Sequence, residues 1–325
     1  MPLKVGIPRA LFFYYYYPLW KRFFENLGAQ IVVSPPTNKS IIDAGIKCAV
    51  DEACLPVKVY YGHVTALKNK VDLMFLPRLV SLERKTYICP KFMGLPDMIR
   101  SNVKDLPTVI DTTFDLSKNS SSIYRPAREV GHFLESRDRI IDQAWDDAEE
   151  FQKEFEDRLY KGHLPCDVLD SLEKGKELPV TCNMKRMCVA VVGHAYNLYD
   201  THISMDLIRH LKNMGVKVIT PDIIPTAVSD AYANRLPKRM FWTMGKRLLG
   251  SVLHYIDEGK VDGILYVEAF GCGPDSMIED LSARYVRRDR KIPFQVLTLD
   301  EHSGTAGVMT RLEAFVDMIS WRGVS

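Results

Sequence analysis

The sequence predicts an α/β protein of two doubly wound, Rossmann-like lobes with mainly parallel sheets, and three observations carry that prediction. Short apolar runs, such as residues 4–8, 72–76 and 187–192, alternate with amphipathic helical patterns. That alternation is the mark of parallel strands covered by helices on both faces. It occurs twice, with a charged helical stretch between the two occurrences. A chain of 325 residues is also long enough for two cores of ordinary size.

The elements follow in order. Residues 4–8 read as a short strand ending in a turn, and from Arg9 the aromatic stretch LFFYYYYPLW leads into a helix over 18–27. A second strand spans 30–34, and Asn38 or Ser40 can cap a short helix reaching residue 46. After Cys54 a helix places Val57, Tyr61, Val64 and Leu67 on one face, and residues 72–76 form the third strand. The next loop, PRLVSLERKTYICPK, is long for an α/β connection, a property of functional or mobile loops. A helix over 92–101 and a strand over 108–111 complete the first lobe, residues 1–115. Residues 116–186 read as a helical bridge and linker: SKNSSS is a polar break, 126–160 are helical with an acidic solvated face, and 161–186 are irregular. The second lobe, 187–325, repeats the architecture without repeating the sequence. It has strands over 187–192, 216–220, 263–267 and 294–298, a helix from Thr201, helical material over 226–259, and a last helix burying Val308, Leu312, Phe315 and Ile319.

Composition narrows the function. With 46% hydrophobic residues, 26% charged residues and a net charge of +2, the chain offers no case for nucleic acid or an acidic membrane as partner. No apolar run approaches the roughly 18 residues of a membrane span, and MPLKVGIPRAL lacks the features of a signal peptide. The expectation is a cytoplasmic protein. Its seven cysteines, odd in number, are then reduced thiols that are buried or bind metal. The pairs Cys48/Cys54 and Cys182/Cys188 each have five residues between them, which matches no common zinc or ferredoxin spacing.

Three cysteines share one setting. Cys54, Cys89 and Cys272 each lie in a turn followed within two residues by proline (Pro56, Pro90, Pro274) and then by a helical pattern. Thiolates there face the unpaired N–H groups of a helix start, where negative charge is stabilised. Facing each other across a cleft between the lobes, the three could hold a [4Fe–4S] cubane through three irons, leaving the fourth open. Cys48 is the additional candidate ligand; Cys188 reads as core, and Cys166 and Cys182 as linker residues. Asp200 and Asp275 read as helix caps. His63, His194 and His302 are candidate proton donors, with His194 and His302 better placed after strands, and Glu268 is a candidate acid–base group beside Cys272. Arg9, Lys58 and Lys91 lie by turns, where they could pair with cluster charge or an anionic substrate.

The motifs KVGIPRAL, EACLPVKVYYGH, YICPKFMGLPDMIR, GHAYNLYD, FGCGPDS and DEHSGTAGVMTRLEAF resemble a known group. It is the superfamily of 2-hydroxyacyl-CoA dehydratases and double-cubane cluster proteins, in particular the domain attached to the dehydratase activators. The resemblance covers both lobes and is weakest through 116–185. It implies Rossmann-like lobes with an iron–sulfur cluster between them, ligated at Cys54, Cys89 and Cys272, and electrons delivered by a separate ATP-hydrolysing activator. The cluster would stand alone or form part of a larger or bridged one. The chain shows no P-loop of its own. The expected function is low-potential one-electron reduction of a small-molecule substrate, in a homodimer or a heterodimer with a related subunit. The alternatives are a non-catalytic electron-transfer or accessory subunit, and a metal-free α/β protein binding an anion.

Overall fold

The computed structural model describes residues 1–118, 123–178, 187–289 and 292–322. Two compact units divide the chain: Met1–Asp157 with Phe241–Thr243, and Arg158–Met240 with Met244–Ser325.

In the first unit, β1 (Lys4–Ile7), β2 (Gln30–Val33), β3 (Leu73–Phe75) and β5 (Thr108–Ile110) form a sheet in the order β2-β1-β3-β5. All three pairings are parallel, with Val5 opposite both Ile31 and Leu73. A small parallel sheet of β4 (Arg78–Ser81) and β6 (Thr113–Asp115) continues the β3–β5 ladder. The Leu76 and Arg78 N–H groups, donating to the Ile110 and Thr112 carbonyls, carry the pairing across Pro77, which has no N–H to give.

The aromatic stretch is helix, not a lead-in to one. The helix runs Phe13–Asn26 with Pro18 inside it. Proline forfeits one backbone hydrogen bond there, but the helix buries Phe13, Tyr14, Tyr15, Tyr17, Leu19, Phe23 and Phe24. At about 1.5–3 kcal/mol for each large apolar side chain, burial outweighs the loss. Asn38 caps the Lys39–Cys48 helix by accepting from the Ile41 N–H at 3.1 Å, as its position in the sequence suggested. The long Asp138–Tyr160 helix turns Ile141, Trp145, Ala148 and Phe155 into the core of this unit.

In the second unit, β7 (Cys188–Gly193), β8 (Lys217–Ile219), β9 (Gly263–Ala269) and β10 (Phe294–Leu299) form a parallel sheet ordered β10-β9-β7-β8. Val192, Ile264 and Tyr266 meet Leu249, Val252 and Ile278 from the covering helices in one buried cluster. Two local expectations fail. The stretch expected to be irregular contains a Pro165–Lys174 helix, opened by proline and closed by Gly175 in the left-handed region. The helix expected from Thr201 starts only at Leu207, because Met205 and Asp206 both adopt positive φ.

Both sheets have the same order: second strand, first, third, fourth. The first strand's connection leaves to one side and the third's to the other. A crevice therefore opens at the carboxyl ends of β1 and β3, and another at those of β7 and β9, where open α/β sheets place ligands. Among the described residues no helix is long and apolar enough to cross a membrane.

Candidate functional site

Each of the three singled-out cysteines stands at the same station, the residue that opens a helix. Cys54 has extended backbone, and its carbonyl accepts from the N–H groups of Val57 (3.0 Å) and Lys58 (3.2 Å) at the start of the Leu55–Leu67 helix. Cys89 does the same for Phe92 (2.9 Å) and Met93 (3.2 Å) in the Pro90–Met93 turn of helix. The Cys272 carbonyl accepts from the Ser276 N–H (3.0 Å) and hydroxyl (2.9 Å), opening Gly273–Asp289. Gly271, at φ +77°, makes the bend that brings the chain from β9 into that helix.

The two cysteine turns of the first unit are joined. The Lys91 ammonium donates to the Glu52 carbonyl at 2.9 Å, linking the Cys89 turn to the residues before Cys54. Cys54 is 5% exposed, and burial pushes its thiol up. The Val57 N–H and the Lys91 charge oppose that rise, while Cys89 adds to it through thiolate–thiolate repulsion. A cation bound between them would relieve both the burial penalty and the repulsion. The first unit thus brings Cys89 and Lys91 near enough to Cys54 to act on its thiol. Among the described residues no three histidine, cysteine or carboxylate side chains are grouped to hold a metal ion.

In the second unit the crevice between β7 and β9 holds buried polar groups. His194 follows β7 directly, is 6% exposed, and places Nε2 3.7 Å from Asp275 Oδ1. Asp275 is 1% exposed and accepts from the Tyr266 hydroxyl at 2.7 Å. It therefore does not cap its helix, contrary to expectation. Burial raises the Asp275 carboxyl and lowers the His194 imidazole, so both partners are driven toward their uncharged forms. Glu268, in β9, accepts from the Thr298 hydroxyl at 2.9 Å, and burial raises it as well, with Asp275 adding to the effect. Tyr266 is the residue that sequence reasoning missed, and Asp275 the one it read only as a cap. The available signal was a tyrosine in an otherwise apolar buried strand, whose hydroxyl must find a partner.

The other candidates separate cleanly. His63 is fully buried between Ser34 (2.8 Å) and Thr37 (2.9 Å) and is structural. His302 lies exposed in the turn before the last helix, its backbone N–H donating to Asp300. Asp200 accepts from the His202 and Ile203 N–H groups inside a turn and caps no helix, contrary to expectation, because the next helix opens only at Leu207. Arg9 lies over the Phe13 ring, and Lys58 is buried on the Leu55–Leu67 helix. Cys48 ends its helix half-buried near Tyr61, Cys188 begins β7, and Cys166 is exposed with its thiol 3.9 Å from the Tyr199 carbonyl. Cys182 lies outside the described residues.

A family profile described as "CoA enzyme activase uncharacterised domain (DUF2229)" matches residues 4–224. The match takes in Cys54, Cys89 and His194 and ends before Cys272. No curated protein matches the chain significantly.

Proposed function

The chain belongs to the CoA enzyme activase uncharacterised-domain family, and from that premise we propose that it is an iron–sulfur protein of a CoA-enzyme activation system, of the 2-hydroxyacyl-CoA dehydratase type. The observation that carries this reading is the shared station of Cys54, Cys89 and Cys272, each at the start of a helix, with Cys54 and Cys89 electrostatically coupled beside Lys91. Cys54 and Cys89 would hold a [4Fe–4S] cluster together with Cys272. Such a cluster supplies one-electron chemistry at low potential.

The chain's own residues do the rest. N–H groups at the helix starts and the Lys91 ammonium stabilise the negative charge of the thiolates. His194, whose imidazole is lowered by burial beside Asp275, and Glu268, whose carboxyl is raised by burial, are groups that can hold or give up a proton beside the Cys272 turn. A separate ATP-hydrolysing activator would deliver the electron. One observation weighs against substrate turnover at the sheet crevice of the first unit. The carboxyl ends of β1 and β3 leave a cavity of only about 20 Å³, closed by Phe12, Trp20, Phe75 and Phe92. That is space for one water rather than for an acyl group.

The test is iron and acid-labile sulfide per chain after anaerobic preparation, in the wild type and in Cys54→Ala, Cys89→Ala and Cys272→Ala. About four of each in the wild type, lost in all three variants, is the expected result. A chain that takes up no iron on reconstitution refutes the reading. Retention of the full content in Cys272→Ala removes that residue from the ligand set.

A further inference from the structure

The first unit contains another, larger cavity that the iron–sulfur reading does not use. Its volume is about 380 Å³, within the ordinary range of small-molecule sites, about 300–1,000 Å³. Two helices supply facing stripes of its lining. Tyr16 and Trp20, one turn apart, come from Phe13–Asn26. Trp145, Glu149, Gln152 and Glu156 follow at helical spacing along one face of Asp138–Tyr160. Phe114, Leu79, Leu82 and Leu116 close the remaining side.

The lining has a fixed floor and accessible walls. Trp145 and Phe114 are buried and stack on each other at 6.3 Å. Tyr16 and Trp20 are only half-buried, with ring centroids 6.2 Å apart, and Trp20 is braced edge-on by Phe75 at 5.3 Å. Glu149 and Glu156 are half-buried as well. Rings and carboxylates alike therefore keep surface that a ligand can touch. Gln152 Nε2, which also donates to the Tyr15 carbonyl, donates to Glu156 Oε1 at 3.0 Å and holds that carboxylate on the lining.

The charge around the mouth is one-sided. Residues 145–156 carry six carboxylates against one lysine, Lys153. Tyr124, next to Ile123 of the lining, feels that field: its phenol is raised first by the hydrogen bond it donates to Asp146, with Glu149 and Asp142 adding to the rise. Aromatic faces carry negative charge density, and carboxylates at the mouth reinforce it, so the cavity attracts cations and repels anions. A metal ion or a bare ammonium would lose hydration that leucine walls do not replace. Alkyl groups on the nitrogen remove the N–H groups that need partners and bury apolar area against Leu79, Leu82 and Leu116.

From these observations we propose that the cavity binds an alkylated ammonium cation of the quaternary type, its charged head against Tyr16 and Trp20 and facing Glu149 and Glu156. The proposal is independent of the cluster, because no proposed ligand cysteine lines the cavity.

The test is calorimetric titration of the full chain with choline and with neohexyl alcohol, which has choline's shape but carbon in place of the charged nitrogen. Choline is expected to bind one to one and about tenfold more tightly than the alcohol. Trp20→Leu keeps an apolar wall and removes the ring, and should weaken choline about tenfold while changing the alcohol little. Glu149→Gln should weaken choline about twofold to fivefold, and Lys153→Gln should tighten it by a similar factor. If Trp20→Leu does not fold by thermal melt, the two glutamine variants decide. Absence of saturable choline binding, equal affinity for the alcohol, or an unchanged choline affinity in any variant that folds overturns the proposal.

Discussion

His63 illustrates what a single residue can conceal. Its imidazole holds the loop after β2, with Ser34 and Thr37 taking up the two ring nitrogens, and the Ser34 hydroxyl ties that loop to the one after β1 by accepting from the Arg9 N–H at 2.8 Å. With Ser34 already accepting from Arg9, its hydroxyl is available to donate to Nδ1, and Nε2–H then donates to Thr37. That network requires a neutral ring. Burial first, then the Arg9 charge, lowers His63 to about 3 from the ordinary 6.5. The unfolded chain therefore binds this proton at a higher pH than the folded chain. The associated stability is fully present above about pH 6.5 and is lost as pH falls toward 3, at about 1.4 kcal/mol per pH unit. Urea unfolding at pH 7, 6 and 5 should show the wild type losing stability more steeply than His63→Gln by about that slope. Parallel curves would remove the titration from His63. The sequence ranked His194 above His63 by its place after a strand but could not show their partners, which come from elsewhere: Ser34 and Thr37 for one, and Asp275, in a different element, for the other. The Asn38 cap, by contrast, was legible, since donor and acceptor lie three residues apart.

At the scale of elements, the Cys54 helix owes its position to two glycines. The Lys39–Cys48 and Leu55–Leu67 helices cross so closely that a Cβ on Gly45 would stand 1.9 Å from the Lys58 carbonyl oxygen. One on Gly62 would stand 2.0 Å from the Ile41 oxygen. Backbone cannot yield as a side-chain tip can, so either methyl forces the helices apart. Gly45→Ala and Gly62→Ala should each cost about 1–3 kcal/mol or more in denaturant unfolding and, if Cys54 holds a cluster as proposed, should reduce iron uptake by displacing it. Gly307→Ala, in the last helix with nothing within 4 Å of the added carbon, should be neutral or stabilising by up to about 1 kcal/mol. Equal effects at the three sites would refute the close-crossing account. Helix and strand order were readable from hydrophobic period, and so were the cysteine turns. The start of the Phe13–Asn26 helix was not, because Pro18 signals a boundary that burial of the aromatic face overrides. Nor was the crossing itself, which depends on two glycines seventeen positions apart in sequence.

Across the whole molecule the two sheets have one strand order but use it differently. At the carboxyl ends of β1 and β3 the crevice is filled by rings, with Phe12 and Phe92 edge to face at 5.5 Å and little space left. At those of β7 and β9 the fold buries a histidine, a carboxyl and a tyrosine hydroxyl instead. Rings in a crevice stabilise; buried ionisable groups there cost stability and are retained where function requires them. The two ends should respond oppositely to substitution. Phe12→Ala removes a buried ring and should destabilise by about 3–5 kcal/mol. Asp275→Asn keeps an acceptor for the Tyr266 hydroxyl and resembles the uncharged carboxyl that burial favours. Its stability at pH 7 should be unchanged or higher by about 1 kcal/mol, because no buried charge remains to be formed. If the β7–β9 crevice handles protons as proposed, that same variant loses electron-coupled activity while remaining fully folded. Thermal and urea unfolding of the two variants side by side measures the contrast. A loss in Asp275→Asn as large as that in Phe12→Ala would make the buried polar cluster a structural element and would return His194 and Asp275 to the core.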